Sequence, residues 1–78
     1  MDSIWHKVAS GFAQGPEKKL ELSRGQIVIL QTFWTDEDGV NVLMDAGDAV
    51  LPKEDAEHLG LAVIQLANTP PPTQEDLA

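Results

Sequence analysis

Residues 26–34, Gln-Ile-Val-Ile-Leu-Gln-Thr-Phe-Trp, limit the fold more tightly than any other stretch of the chain. Side chains alternate across a strand, so Ile27, Ile29 and Phe33 share one face while Val28, Leu30 and Trp34 share the other. A strand that is apolar on both faces belongs inside a sheet and calls for cover on each side. The chain around it has 78 residues. A domain of that size buries only about 60% of its unfolded surface, so there is one core, and a deep cofactor pocket would consume most of it.

The neighbouring segments predict what that strand pairs with. Asp38-Gly39 is a turn signal, because glycine takes positive φ without steric cost, and Val40, Val42 and Met44 then alternate with Asn41, Leu43 and Asp45. This gives an antiparallel hairpin. Ala46-Gly47-Asp48 reads as a further turn and Ala49-Val50-Leu51 as a short strand stopped by Pro52. Upstream, Lys19-Leu20-Glu21-Leu22 alternates and is joined to the central strand through Ser23-Arg24-Gly25. Residues 4–12 stay open: Ile4, Trp5, Val8 and Phe12 suit a helical face, while Gly11, Gly15 and Pro16 break anything longer.

Residues 53–67 carry a three-and-four spacing: Ala56, Leu59, Val63, Leu66 and Ala67, with Gly60 and Ala62 beside the same arc. Glu54, Asp55 and Glu57 sit where carboxylates meet the positive end of a helix dipole. Gly60 costs about 1 kcal/mol in a helix interior, which leaves a short helix followed by a strand over 61–66 as the alternative. The expected fold is α+β: a three- to four-stranded antiparallel sheet packed by a C-terminal amphipathic helix, with a small SH3-like β-barrel as the alternative. Residues 1–68 form the single domain. Residues 69–78, with Pro70-Pro71-Pro72, read as a proline-rich flexible tail of polyproline character.

Two resemblances accompany this reading. From Asp38-Gly39-Val40 to Leu51, and then Asp55-Ala56-Glu57-His58-Leu59 and Ala62-Val63, about half the chain resembles short uncharacterised bacterial and phage proteins in which a hairpin and a final strand lead into an Asp-Ala-x-x-Leu helix. That likeness implies the sheet-plus-helix fold and no activity. Residues 20–30 together with Val50-Leu51-Pro52 are similar to the diverging turn, second strand and late proline of Src-homology-type small barrels. Val40 and Asn41 stand where those domains place paired tryptophans, and the chain has no tyrosine, so the likeness implies no proline-peptide binding.

The formal net charge of -8 is unevenly placed. The first 34 residues sum to +1; the remainder sums to -9, with Lys53 alone against ten acids. Nucleic acid is held by clustered Lys and Arg that release counterions, so neither direct nucleic-acid binding nor adhesion to an anionic membrane is expected. An acidic surface steers a basic protein, or solubilises the domain. With no cysteine there is no disulfide, thiolate nucleophile or cysteine-rich zinc site. The opening residues lack the basic and long apolar runs of a secretory signal, which makes the cytoplasm the expected location.

Catalytic constellations are not expected either. Aligning Asp36, Asp38 and Asp45 on a calcium loop puts Trp34, which cannot coordinate, at the first ligand position. His6 and His58 are far apart in sequence, and the serines Ser3, Ser10 and Ser23 lie near turns or ends. No cofactor, metal or catalytic residue is assigned. What remains is surface: Trp5, Trp34, Asp36, Glu37, Asp38, Asp45, Glu54 and Glu57 form the candidate interaction set. With one helix available, the face carrying Val28, Leu30 and Trp34 is expected to need a second cover, from Ile4, Trp5 and Val8 or from a second copy of the chain. The reading is a non-enzymatic small acidic protein-binding or regulatory module, encoded by a bacterium or its phage, meeting a protein with a basic surface. The alternatives are an inhibitor that mimics nucleic acid and a homo-oligomeric structural subunit.

Overall fold

The computed structural model describes residues 4–47 and 50–78. Its elements run β1 (His6–Ala9), β2 (Phe12–Glu21), β3 (Ile27–Thr35), β4 (Gly39–Asp45) and α1 (Lys53–Ala67). The strands form an antiparallel meander in the order β1-β2-β3-β4, and the helix packs on one face of it. This is the α+β arrangement of a C-terminal helix on an antiparallel sheet. The barrel alternative is overturned, because β1 and β4 stay at opposite edges of an open sheet.

The two-sided apolar segment is an inner strand, flanked by β2 and β4. The hairpin that follows it turns at Gly39, whose φ of 74° is the left-handed conformation that only glycine adopts freely. Thr35 closes the same turn by accepting the Asp38 amide on Oγ1 at 3.1 Å. Within residues 4–12, His6–Ala9 form β1, and a turn at Ser10-Gly11 folds it onto β2, which begins at Phe12.

β2 runs through Gly15 and Pro16, residues that normally interrupt a strand. A bulge accommodates them: Gln14 pairs with Phe33 and Glu17 with Gln31, so two residues face the single Thr32. Pro16 has no amide for the ladder, and its carbonyl instead accepts the Thr32 hydroxyl at 2.6 Å.

Helix α1 continues through Gly60, so residues 61–66 are helical. Its buried stripe is Asp55, Leu59, Ala62 and Leu66, whereas Ala56 and Ala67 are exposed and Val63 is half-buried. The stripe is thus turned from the expected arc. The reason is Asp55, which accepts the Ser23 amide at 3.2 Å and the Ser23 hydroxyl at 2.7 Å and so ties the first helical turn to the β2–β3 turn. Leu59, Ala62 and Leu66 then close over Leu20, Leu22, Val28 and Leu30, with Val42, Ala46, Leu51 and Val63 at the margin. Fully burying a side chain such as Leu30 or Val28 stabilises the fold by about 1.5–3 kcal/mol.

Three further expectations change. The face of Val28 and Leu30 is the one the helix covers, and the open face is that of Ile27, Ile29 and Phe33. Trp5 is 3% exposed rather than an available anchor. Its ring lies against Gly15 and Thr32 on the helix side of the sheet, and its Nε1 donates to the Pro70 carbonyl at 2.8 Å, so the segment after α1 meets the segment before β1. Finally, Val50 and Leu51 are not in a strand; Asp48 and Ala49, the rest of that expected turn and strand, lie outside the described residues.

Candidate functional site

The face of the sheet opposite α1 is built by alternation. β3 sends Ile27, Ile29, Gln31 and Phe33 to it, and the register brings Phe12 and Gln14 from β2 and Leu43 from β4 beside them. The bulge between Lys7 and Ala9 in β1 adds Val8. Val8, Phe12, Gln14, Gln31, Phe33 and Leu43 line an open groove of about 430 Å³. Phe12 and Phe33 stack across it with ring centroids 5.9 Å apart. Leu43 is 60% exposed and Val8 58%, both lining the groove, and Ile27, 48% exposed, extends the apolar face further along β3. Contiguous apolar area of this kind marks interaction sites on small proteins.

The polar groups in the groove are already engaged. Gln14 Nε2 donates to Gln31 Oε1 at 3.2 Å, and Gln31 Nε2 donates to the Gly15 carbonyl at 2.7 Å. With these amides paired inside the chain, covering the groove strands no donor of Gln31. Charge borders the apolar residues directly: Glu17 stands beside Gln31, Lys19 and Glu21 beside Ile29 and Ile27, and Asp45 ends β4 on the other side of Ile29.

The sequence-derived set does not assemble into one surface. Trp34 is half-buried and pairs with Ala13 and Val40 on the helix side. Asp36, Glu37 and Asp38 occupy the β3–β4 turn, and Asp45 ends β4, six residues beyond Gly39 and on the order of 20 Å away. Glu54 and Glu57 lie on the first turns of α1, beyond Asp45, where Glu57 makes a loose contact with Lys53 at 3.9 Å. The acids therefore occupy the two ends of the sheet rather than one row. That separation does not favour the nucleic-acid mimic, which calls for clustered charge.

Among the described residues no group of three or more His, Cys, Asp or Glu is placed to hold a metal ion. The histidines are on opposite sides of the sheet: His6 pairs with Gln14 on β1, and His58 sits on α1 beside a shallow cavity of about 160 Å³ with Lys18, Leu61, Ala62 and Gln65. The buried polar side chains, Thr32 and Asp55, make their hydrogen bonds within the fold. No helix among the described residues is long and apolar enough to cross a membrane.

Sequence reasoning missed Val8, Phe12, Phe33 and Leu43 as a group. The signal was present in β2: Glu17, Lys19 and Glu21 lie on the same face as Gln31, Ile29 and Ile27, which marks that side as the solvent side once the register is known. No family model matches the chain, and no match is found among curated proteins or solved structures.

Proposed function

We propose that this chain is a non-enzymatic protein-binding module, and that the uncovered face of its sheet is the binding surface. One observation carries the reading: a continuous apolar groove floored by Phe12 and Phe33, whose central polar side chain, Gln31, has its amide group satisfied within the chain. Such a surface gains from being covered by another apolar surface and offers little to orient a polar small molecule. The border of this surface carries both signs, Lys19 between Glu17 and Glu21 on β2 and Asp45 at the end of β4, which favours a partner offering opposite charges at the same levels.

The test compares baits in the host's own extract. Wild-type protein and Leu61→Glu, which changes an exposed apolar residue on α1, retain a stoichiometric partner; Leu43→Glu, which puts a carboxylate in the groove, loses it. Binding that survives Leu43→Glu and fails with Leu61→Glu moves the surface to the helix and refutes this reading.

A further inference from the structure

We infer that the occupant of the open sheet face is a second copy of the same chain, packed face to face about a two-fold axis parallel to β3. This rests on the protein-binding reading above and names the partner. The argument starts from one row of the sheet. Lys19 and Asp45 both pair with Ile29, one from β2 and the other from β4, so they stand on the open face at the same level on opposite sides of β3. A two-fold axis along β3 carries the β2 side of one copy over the β4 side of the other. Lys19 of each copy then faces Asp45 of its mate, and the two pairs flank a contact between the Ile29 side chains on the axis.

The alternative symmetric arrangement, with the axis across the strands, lays β2 on β2. With that axis at the level of Ile29, Glu17 of one copy meets Glu21 of the other and Lys19 meets Lys19, and like charges in juxtaposition oppose association. The charge pattern therefore selects one of the two aligned packings. Sheets pack face to face about 10 Å apart with strand directions within about 30°, which keeps Ile27, Ile29 and Phe33 near the axis in both copies. The size is sufficient: nine residues of β3, with neighbouring strands about 4.8 Å to either side, give roughly 500 Å² per copy and about 1,000 Å² in all, the lower bound of a specific interface. Gln31, also near the axis, enters the interface with its amide already bonded to Gly15 and Gln14.

Sedimentation equilibrium over a dilution series tests this, with circular dichroism to confirm that each variant is folded. The wild-type chain is expected to move from a mass of 8.5 kDa to twice that value as concentration rises. Leu43→Glu is expected to weaken the dimer about tenfold or more, a change worth about 1.4 kcal/mol. Lys19→Asp and Asp45→Lys each weaken it, and the double variant Lys19→Asp/Asp45→Lys restores it. The double variant decides the case if Leu43→Glu does not fold. A wild-type chain that stays monomeric up to about 1 mM, weaker than a specific interface of this kind supports, overturns the second copy as occupant. So does a dimer indifferent to all four variants. The protein-binding reading stands apart from either result: it survives a monomeric chain if partner capture is lost on Leu43→Glu, and falls with it if capture is unaffected.

Discussion

A methyl group added at residue 15 should destabilise the protein, while the same change at residue 60 should stabilise it. Gly15 lies in the β2 bulge, with no positive φ to strain an alanine. The cost is steric. A Cβ there would lie 2.6 Å from Thr32 Oγ1 and 2.6 Å from Trp5 Cζ3. Neither neighbour is free to yield: Thr32 is fully buried with its hydroxyl on the Pro16 carbonyl, and the Trp5 ring is buried with its Nε1 on Pro70. Overpacking of this kind costs about 1–3 kcal/mol, offset by about 0.4–1 kcal/mol from the stiffer unfolded chain. Gly60→Ala meets nothing within 4 Å and sits inside α1, so the helix-propensity term of about 1 kcal/mol is gained outright. The two variants should therefore differ by about 1–3.6 kcal/mol, or on the order of 10 °C in Tm for a domain this small. Urea unfolding followed by tryptophan fluorescence measures both, and in Gly15→Ala the Trp5 emission should shift toward that of a solvated indole. Equal stabilities for the two alanine variants, or a Gly15→Ala protein as stable as the parent, would refute the placement of Trp5 over the bulge.

Other substitutions test the remaining contacts. Asp55→Ala removes both bonds to Ser23 and should cost about 1–3 kcal/mol in urea unfolding, with Ser23→Ala losing less because the backbone amide is retained. Trp5→Phe keeps a ring over Gly15 but loses the bond to Pro70; about 0.5–1.5 kcal/mol is expected, together with faster amide exchange at Thr69 and Thr73, which flank the three prolines. Thr32→Val leaves the Pro16 carbonyl with only the long 3.5 Å contact from Gln31 Nε2 and should cost about 1–3 kcal/mol by the same unfolding assay. Replacing Asp36, Glu37 and Asp38 together by their amides should leave fold stability within about 0.5 kcal/mol, since all three are exposed. The same change should tighten the dimer by sedimentation, because the axis along β3 places both acidic turns at one end.

Local chemistry made much of the fold legible. The Asp38-Gly39 turn, the strand of residues 40–45 and the helix of residues 53–67 each depend on neighbours a few positions away, and each element appears where the sequence places it, while the buried stripe of the helix is turned from the arc of Ala56, Val63 and Ala67. β1 and the first part of β2 were not legible, because Gly15 and Pro16 argue against a strand until the bulge and the Thr32 hydroxyl satisfy that backbone. The candidate site was the least legible. The sequence supplied exposed acids and two tryptophans, whereas the surface that emerged is made of Val8, Phe12, Phe33 and Leu43, drawn from four different strands.

The sequence by itself determined that residues 26–34 are an inner strand, that a hairpin follows at Asp38-Gly39, and that a C-terminal helix presents one apolar stripe. Those are consequences of side-chain alternation, backbone freedom and period. Only the tertiary structure decided which of the two apolar faces of β3 lies under the helix. With α1 the one described helix, that choice follows from long-range partners: Leu20 opposite Val28 on one side, Lys19 opposite Ile29 on the other, and Asp55 held by Ser23 so that Leu59, Ala62 and Leu66 turn toward the first. The face left open, with its charges at the margin and its amides already paired, is where the chain has apolar surface still to cover.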